Sequence, residues 1–204
     1  MSIKTLILTA LSCIFFITTV SAGKYPTIAD AKKDIRQHTE PKYRNTFMVF
    51  SHDQIECLAM NVYHEARNES LSGKIGVILV TMNRVADKRF PATICGVVKQ
   101  GKHWFSAKRN KWYPAKNRCQ FSWYCDGRSD KPENKRAWIY SQALTEYFLK
   151  RSMLFIDFTE GATHYHAEYI SLPRWAKSKD FIKTVRIDTH LFYRWESNHL
   201  TAMK

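Results

Sequence analysis

The chain has 204 residues, 45% hydrophobic and 14% aromatic, with no internal repeat or low-complexity tract, which argues against a solenoid and suffices for one packed domain. Lys and Arg outnumber Asp and Glu by 32 to 18, a formal charge of +14. An excess of that size points to a polyanionic partner: nucleic acid, an anionic lipid surface, or a cell wall carrying carboxylates and phosphates.

The chain opens with Lys4, the apolar run Leu6 to Val20, and Val20-Ser21-Ala22 before Gly23. This order of cation, apolar stretch and small residues is that of a secretory signal in residues 1–22, cleaved after Ala22. A retained anchor is the alternative, but the run is short of the roughly 20 apolar residues a spanning helix needs, and Ser12, Thr18 and Thr19 interrupt it. Loss of Lys4, the one charged residue of that stretch, lowers the charge to +13. Export favours the wall over nucleic acid as partner, leaves no stable membrane insertion after cleavage, and fits a monomer. Residues 23–50, with Pro26 and Pro41 and many charges, read as an extended lead-in arm. Four cysteines remain after the signal, Cys57, Cys95, Cys119 and Cys125, in a compartment that permits two disulfides. Three connectivities are open. The spacing Cys119-x5-Cys125 does not match structural zinc knuckles.

Asp53 followed by Glu56 reads as an N-cap with its capping-box partner, and Ile55, Leu58, Ala59, Val62 and Ala66 then recur at helical spacing. Asn68-Glu69 breaks this helix. Ser70 caps a second, in which Leu71, Ile75, Ile78, Leu79, Met82 and Val85 share a face. Gly73 and Gly76 are costly inside a helix and suggest that a neighbouring backbone packs closely there; Phe90-Pro91 ends the segment. Residues 100–131, rich in Lys, Arg, Trp, Tyr and Gly without a sustained period, read as a long loop held by cysteines. A third helix runs from Asn134 to about Arg151 on the spacing of Ala137, Tyr140, Leu144, Tyr147 and Phe148. Met153–Phe158, Thr163–Tyr169 and Leu191–Trp195 suit short strands. The expected class is α+β, mainly α, with residues 51–204 as one catalytic domain.

One residue breaks the pattern. Glu65 lies on the margin of the first helix's apolar stripe, seven residues and nearly two turns after Leu58, whereas Glu56 points the other way. A carboxyl group at the wet edge of a core either forms a salt bridge, here with Arg67 or Arg84, or reacts.

Three stretches together, "NVYHEARNESLSGKIGVILVTMNRVADKRFPATICGVV", "CQFSWYCDG" and "GATHYHAEYISLPRWA", resemble the SleB/CwlJ-type cell wall hydrolases, spore cortex-lytic enzymes and their relatives in Gram-negative bacteria and phages. The similarity spans about Gln54 to Arg194. It implies a lysozyme-like, mainly helical domain with a small β element that acts on the peptidoglycan glycan strand between N-acetylmuramic acid and N-acetylglucosamine. In the Y-x-E-A-R pattern, Tyr63-His64-Glu65-Ala66-Arg67 here, the resemblance makes Glu65 the catalytic acid, with His64 at the variable position. The separate wall-binding domain of the spore enzymes has no counterpart in this sequence.

Glycan cleavage needs a carboxyl group that stays protonated near neutral pH, and partial burial raises a Glu pKa. A hydrolase also needs a second carboxylate, for which Glu69, Asp126 and Glu168 are candidates. A lytic transglycosylase does not, because the muramic 6-hydroxyl attacks its own anomeric carbon; a single obvious carboxylate favours that route, with no metal or other cofactor. Sugar strands are gripped by hydrogen bonds and by aromatic stacking. Gln120, Phe121, Ser122 and Trp123 offer both, Phe121 leaning toward a core role and Trp123 toward binding. Tyr63 joins them as a substrate-binding candidate. His164 and His166 share one face of a strand and can orient Glu65 or bind the sugar.

Two rivals differ in class. A zinc amidase or peptidase is suggested by His64-Glu65, but position 68 is Asn, so H-E-x-x-H fails. A non-catalytic basic wall-binding protein has no use for Glu65. The signal makes one prediction: mass spectrometry of the exported protein finds Gly23 as the first residue, and a chain beginning at Met1 overturns the reading in favour of a retained anchor.

Overall fold

The computed structural model describes residues 50–196, so the signal, its cleavage site and residues 23–49 of the arm lie outside the described residues. In chain order the elements are α1 (His52–Ala66), α2 (Leu71–Ala86), α3 (Ile94–Val98), β1 (Gly101–Ser106), β2 (Lys111–Cys119), α4 (Lys135–Lys150), β3 (His164–Ala167), β4 (Phe181–Ile187) and β5 (His190–Trp195). The class is α+β and mainly helical, with two small antiparallel sheets, β1-β2 and β3-β5-β4, consistent with a lysozyme-like catalytic domain.

The main core is helical. Leu58 and Val62 of α1, Ile75, Ile78 and Leu79 of α2, Ile94 and Val98 of α3, and Tyr140, Leu144, Phe148 and Leu149 of α4 form one cluster. Helix α2 is buried well beyond that face. Every residue from Gly73 to Thr81 is buried, and Val80 turns away from the helices to pack with Ala162 and Phe192, flanked by Tyr165, Val185 and Ile187 of the three-stranded sheet. A helix apolar on most of its circumference belongs between two layers, and α2 lies between the helices and the sheet. The caps follow ordinary chemistry: Ser70 accepts from the Gly73 amide and Asn134 from the Ala137 amide.

Four local expectations need correction, and two elements lie beyond the sequence reading. The first helix is capped by Ser51, whose hydroxyl accepts from the Gln54 amide, not by Asp53. The box is therefore Ser51-x-x-Gln54, and the Gln54 side chain is drawn off to accept from the Cys95 amide in the first turn of α3. At Gly73 and Gly76 the close neighbours are side chains rather than backbone: a Cβ at Gly73 collides with the Asp188 carboxylate, and one at Gly76 comes 2.8 Å from the Phe192 ring. Residues 100–131 are not a continuous loop, because Gly101–Cys119 form a hairpin. Most of its residues are exposed on both faces, so no inside-outside alternation marks it. Met153–Phe158 is not a strand. Ser152–Leu154 make a 3-10 turn, and the next residues fold around Asp157, whose carboxylate accepts from the Thr159 and Gly161 amides and from Asn83 Nδ2. Finally, Phe181–Ile187 is an edge strand hidden in sequence by the irregular pairing between Lys183 and Arg186, while α3 is too short to show a period.

Of the three connectivities open to the cysteines, the pairs formed are Cys57–Cys95 and Cys119–Cys125. Cys57–Cys95 spans 38 positions and ties α1 to α3; by chain-entropy reasoning such a closure is worth about 4 kcal/mol, against about 2 for the 6-position loop.

The contact at Gly76 generates a prediction. Gly→Ala in an ordinary helix gains about 1 kcal/mol, but here the methyl displaces the Phe192 ring, and overpacking of that kind costs about 1–3 kcal/mol. Gly76→Ala therefore lowers the melting temperature, and combining it with Phe192→Leu, which vacates the ring, shrinks the penalty. A stabilised single variant overturns this account of the contact.

Candidate functional site

Helix α1 ends with Tyr63, His64, Glu65 and Ala66 in its last turn, and of these Glu65 meets the sheet. Glu65 is half-buried. Its Oε2 accepts a hydrogen bond from the Tyr165 hydroxyl at 2.9 Å. Tyr165 comes from β3, and the parity of that strand decides what it offers: His164 and His166 both approach Trp175, at ring separations of 5.1 and 5.9 Å, whereas Tyr165 turns to His190 and Phe192 on the other face. The residue that reaches Glu65 is thus the one between the two histidines.

The third member is Arg84 of α2, only 4% exposed. Its guanidinium lies 5.3 Å from the Phe90 ring and 5.1 Å from the Phe121 ring, and Nε donates to the Thr163 carbonyl at 2.6 Å. Burial pulls its pKa down to about 10, with Tyr165 and Glu65 opposing, so it is still a cation at neutral pH. Burial pushes the Glu65 carboxyl above the usual range, partly offset by the Tyr165 hydrogen bond and the Arg84 charge. Tyr165 is raised well above an ordinary phenol, chiefly by burial and then by Glu65, and so keeps its proton. Arg84 makes no ion pair with Glu65 within salt-bridge distance, and Arg67 instead lies over the Tyr63 ring at 5.4 Å.

One turn before Glu65 on α1, the fully buried Asn61 accepts from Trp123 Nε1 at 3.0 Å and donates to Thr81 Oγ1 at 3.2 Å. Thr81 in turn donates to the Val77 carbonyl. His64 stacks on the Trp123 indole, 4.5 Å away and 15° from parallel, and bonds the Asp130 carbonyl at 3.0 Å. The Cys119–Cys125 disulfide closes the segment that carries the indole. Trp123 is therefore held at its edge by Asn61 and on one face by His64, and it is half-buried against the helical core.

The other candidates fall in different places. Phe121 is buried beneath Arg84, while Gln120 and Ser122 are exposed beside it. Tyr63 is 4% exposed, and its hydroxyl accepts from the amides of Glu133 and Asn134 at 3.1 and 3.0 Å; it anchors the entry to α4 and has little left for a substrate. His164 is surrounded by Phe90, Trp175, Phe181 and Trp195, and burial with Arg84 and Arg89 pushes its pKa down to about 3, so it is neutral at working pH. His166 bonds the Tyr193 hydroxyl at 3.1 Å. Of the possible second carboxylates, Glu69 accepts from Thr189 Oγ1 at 2.9 Å, Asp126 from the Arg128 amide at 2.7 Å, and Glu168 pairs with Arg186 at 2.7 Å. Among the described residues no group of three or more His, Cys, Asp or Glu converges as a metal site. Tyr165 and Asn61 escaped the sequence reading, and Arg84 entered it only as a salt-bridge partner for Glu65; the available signals were an Asn at a buried helical position and a Tyr between the two His.

The raised Glu65 pKa has a pH consequence. The folded chain holds a proton that the unfolded chain releases near the ordinary carboxyl value of 4.5, so stability is full below that pH and is lost as pH rises through the higher folded value. In denaturation measured across pH, wild type shows this fall, Glu65→Gln lacks it, and Tyr165→Phe, without the hydroxyl that favours the carboxylate, extends it to higher pH. Parallel curves for all three overturn the assignment of a desolvated carboxyl.

Comparison with known proteins adds a second line of observation. A family model described as Cell Wall Hydrolase matches residues 68–193, well over half of the chain, beginning three positions after Glu65. A search of curated proteins returns no match. Among solved structures, the catalytic domain of the Bacillus cereus SleB protein is similar at 22% identity and a TM-score of 0.49, over 76% of this chain and 100% of that one. The catalytic domain of the germination-specific lytic transglycosylase SleB from Bacillus anthracis is similar at 24% identity and a TM-score of 0.49, over 71% and 97%.

Proposed function

The chain belongs to the cell wall hydrolase family, and from that premise we propose that it is an exported enzyme whose domain, residues 51–204, cuts the peptidoglycan strand between N-acetylmuramic acid and N-acetylglucosamine as a lytic transglycosylase. The observation that carries this reading is the half-buried Glu65, its carboxyl kept toward the protonated form by burial and held at one oxygen by Tyr165. With Oε2 occupied, Oε1 is the oxygen available to a substrate.

Protonated Glu65 gives its proton to the glycosidic oxygen as the bond to the muramic anomeric carbon breaks, and the N-acetylglucosamine hydroxyl departs. The resulting carboxylate is stabilised by the Tyr165 hydroxyl and by the Arg84 charge. It then takes the proton of the muramic 6-hydroxyl as that oxygen closes on the anomeric carbon, giving a 1,6-anhydro product and returning Glu65 to its starting form. No water is consumed and no second carboxylate is required. The commitments of Glu69, Asp126 and Glu168 elsewhere support this route over hydrolysis, which needs two carboxyl groups flanking the bond. The half-buried Trp123, with Gln120 and Ser122 exposed alongside, provides aromatic contact and hydrogen bonds for the sugar.

The test is mass spectrometry of digested peptidoglycan together with turnover of variants. Glu65→Gln loses about 10²–10⁴-fold in rate while remaining folded, and wild type releases 1,6-anhydro-muramic ends. Reducing muramic ends show hydrolysis instead. Loss of activity in EDTA indicates a metal enzyme, and an active Glu65→Gln sinks the whole assignment.

A further inference from the structure

Apart from Cys119 at its base, the β1–β2 hairpin supplies no residue to the site described above. It carries Lys102, Lys108, Arg109, Lys111, Lys116 and Arg118 and has no Asp or Glu between 101 and 119. All six cations are exposed, and none forms a salt bridge among the described residues. Next to the turn at Ala107–Arg109 are two cross-strand pairs: Trp104 opposite Tyr113, with rings 5.3 Å apart, and Phe105 opposite Trp112, with rings 5.4 Å apart. Consecutive residues of a strand point to opposite faces, so each face bears one aromatic pair. The rings are poorly covered, with Trp104, Phe105 and Trp112 at 53%, 46% and 63% exposure.

An arm that displays aromatic rings on both faces cannot bury them against one flat ligand. A glycan strand stacks on a single face and is commonly gripped by carboxylate and amide groups, and the arm has no carboxylate. A medium that surrounds the tip covers both faces at once. The interface of a bilayer is such a medium: Trp and Tyr settle at headgroup level, the stems of Lys and Arg lie along apolar surface, and the charged heads meet anionic phosphates. We propose that this hairpin is a peripheral anchor that docks the enzyme reversibly on an anionic membrane surface. It acts as an arm, since no helix among the described residues is long and apolar enough to cross a membrane. The Cys119–Cys125 disulfide fixes its base.

The experiment compares wild type with Trp104→Ala/Trp112→Ala and with Lys108→Gln/Arg109→Gln/Lys111→Gln, so any contribution of residues 1–49 cancels. Co-sedimentation uses phosphatidylcholine vesicles with and without phosphatidylglycerol, and isolated sacculi as the competing surface. Wild type binds the mixed vesicles more tightly than the neutral ones and releases with salt. The charge variant binds the mixed vesicles on the order of a hundredfold more weakly, about fivefold for each cation removed. The Trp variant also binds the mixed vesicles more weakly, brominated lipid quenches wild-type fluorescence, and both variants cleave soluble glycan fragments at the wild-type rate. Unchanged vesicle binding by either variant overturns the proposal. So does loss of sacculus binding with vesicle binding intact, which makes the arm a glycan platform, and so does loss of cleavage of soluble fragments, which places it in the cleft.

Discussion

Everything about the site depends on how closely the sheet approaches α2. At Gly76 the helix has no side chain, and the Phe192 ring occupies the space a Cβ would need. Phe192 is fully buried there with Val80 and Ala162. Its neighbour on the same sheet face is Tyr165, 5.6 Å away across the β3–β5 pairing. The glycine therefore sets the depth at which β3 lies, and that depth brings a hydroxyl within hydrogen-bond reach of Glu65 on α1. Core packing of this kind transmits small displacements because interiors have few voids to absorb them.

Two opposed influences meet on the Glu65 carboxyl. Burial favours the neutral acid, while the Tyr165 hydroxyl and the Arg84 guanidinium favour the carboxylate, and burial is the larger. In the proposed mechanism this group releases a proton and later recovers it, and each of the opposed influences serves one of those steps. Arg84 can supply a positive charge without forming a salt bridge because it is itself pinned between two aromatic rings and bonded to the Thr163 carbonyl. A direct pair with Glu65 would hold the carboxylate form and remove the acid.

The indole of Trp123 is held by a separate device. Asn61, buried in the middle of α1, spends its amide on Trp123 and Thr81, and the Cys119–Cys125 closure limits how far the indole's segment can move. His64, which occupies a variable position in the family-like motif, covers one indole face and bonds the Asp130 carbonyl. Glu65 and Trp123 are thus coordinated through a single helix, because Asn61, His64 and Glu65 all belong to α1.

The sequence alone determined what is local. The three long helices, the cap at Ser70, the strand pattern around His164 and Leu191, and the exposed position of Glu56 against the half-buried Glu65 all follow from periodicity and capping, which act over a few residues. A hairpin exposed on both faces leaves no alternation, so Gly101–Cys119 passed for a loop, and a helix buried on two sides looks amphipathic when only its stronger face is counted. Only tertiary structure decided which cysteines pair and that the neighbour of Gly76 is a ring. It also decided that Tyr165, rather than His164 or His166, meets the carboxyl. Those outcomes join residues such as 65 and 165, a hundred positions apart, and a contact at that separation is fixed by how layers pack, which no local pattern of side chains encodes.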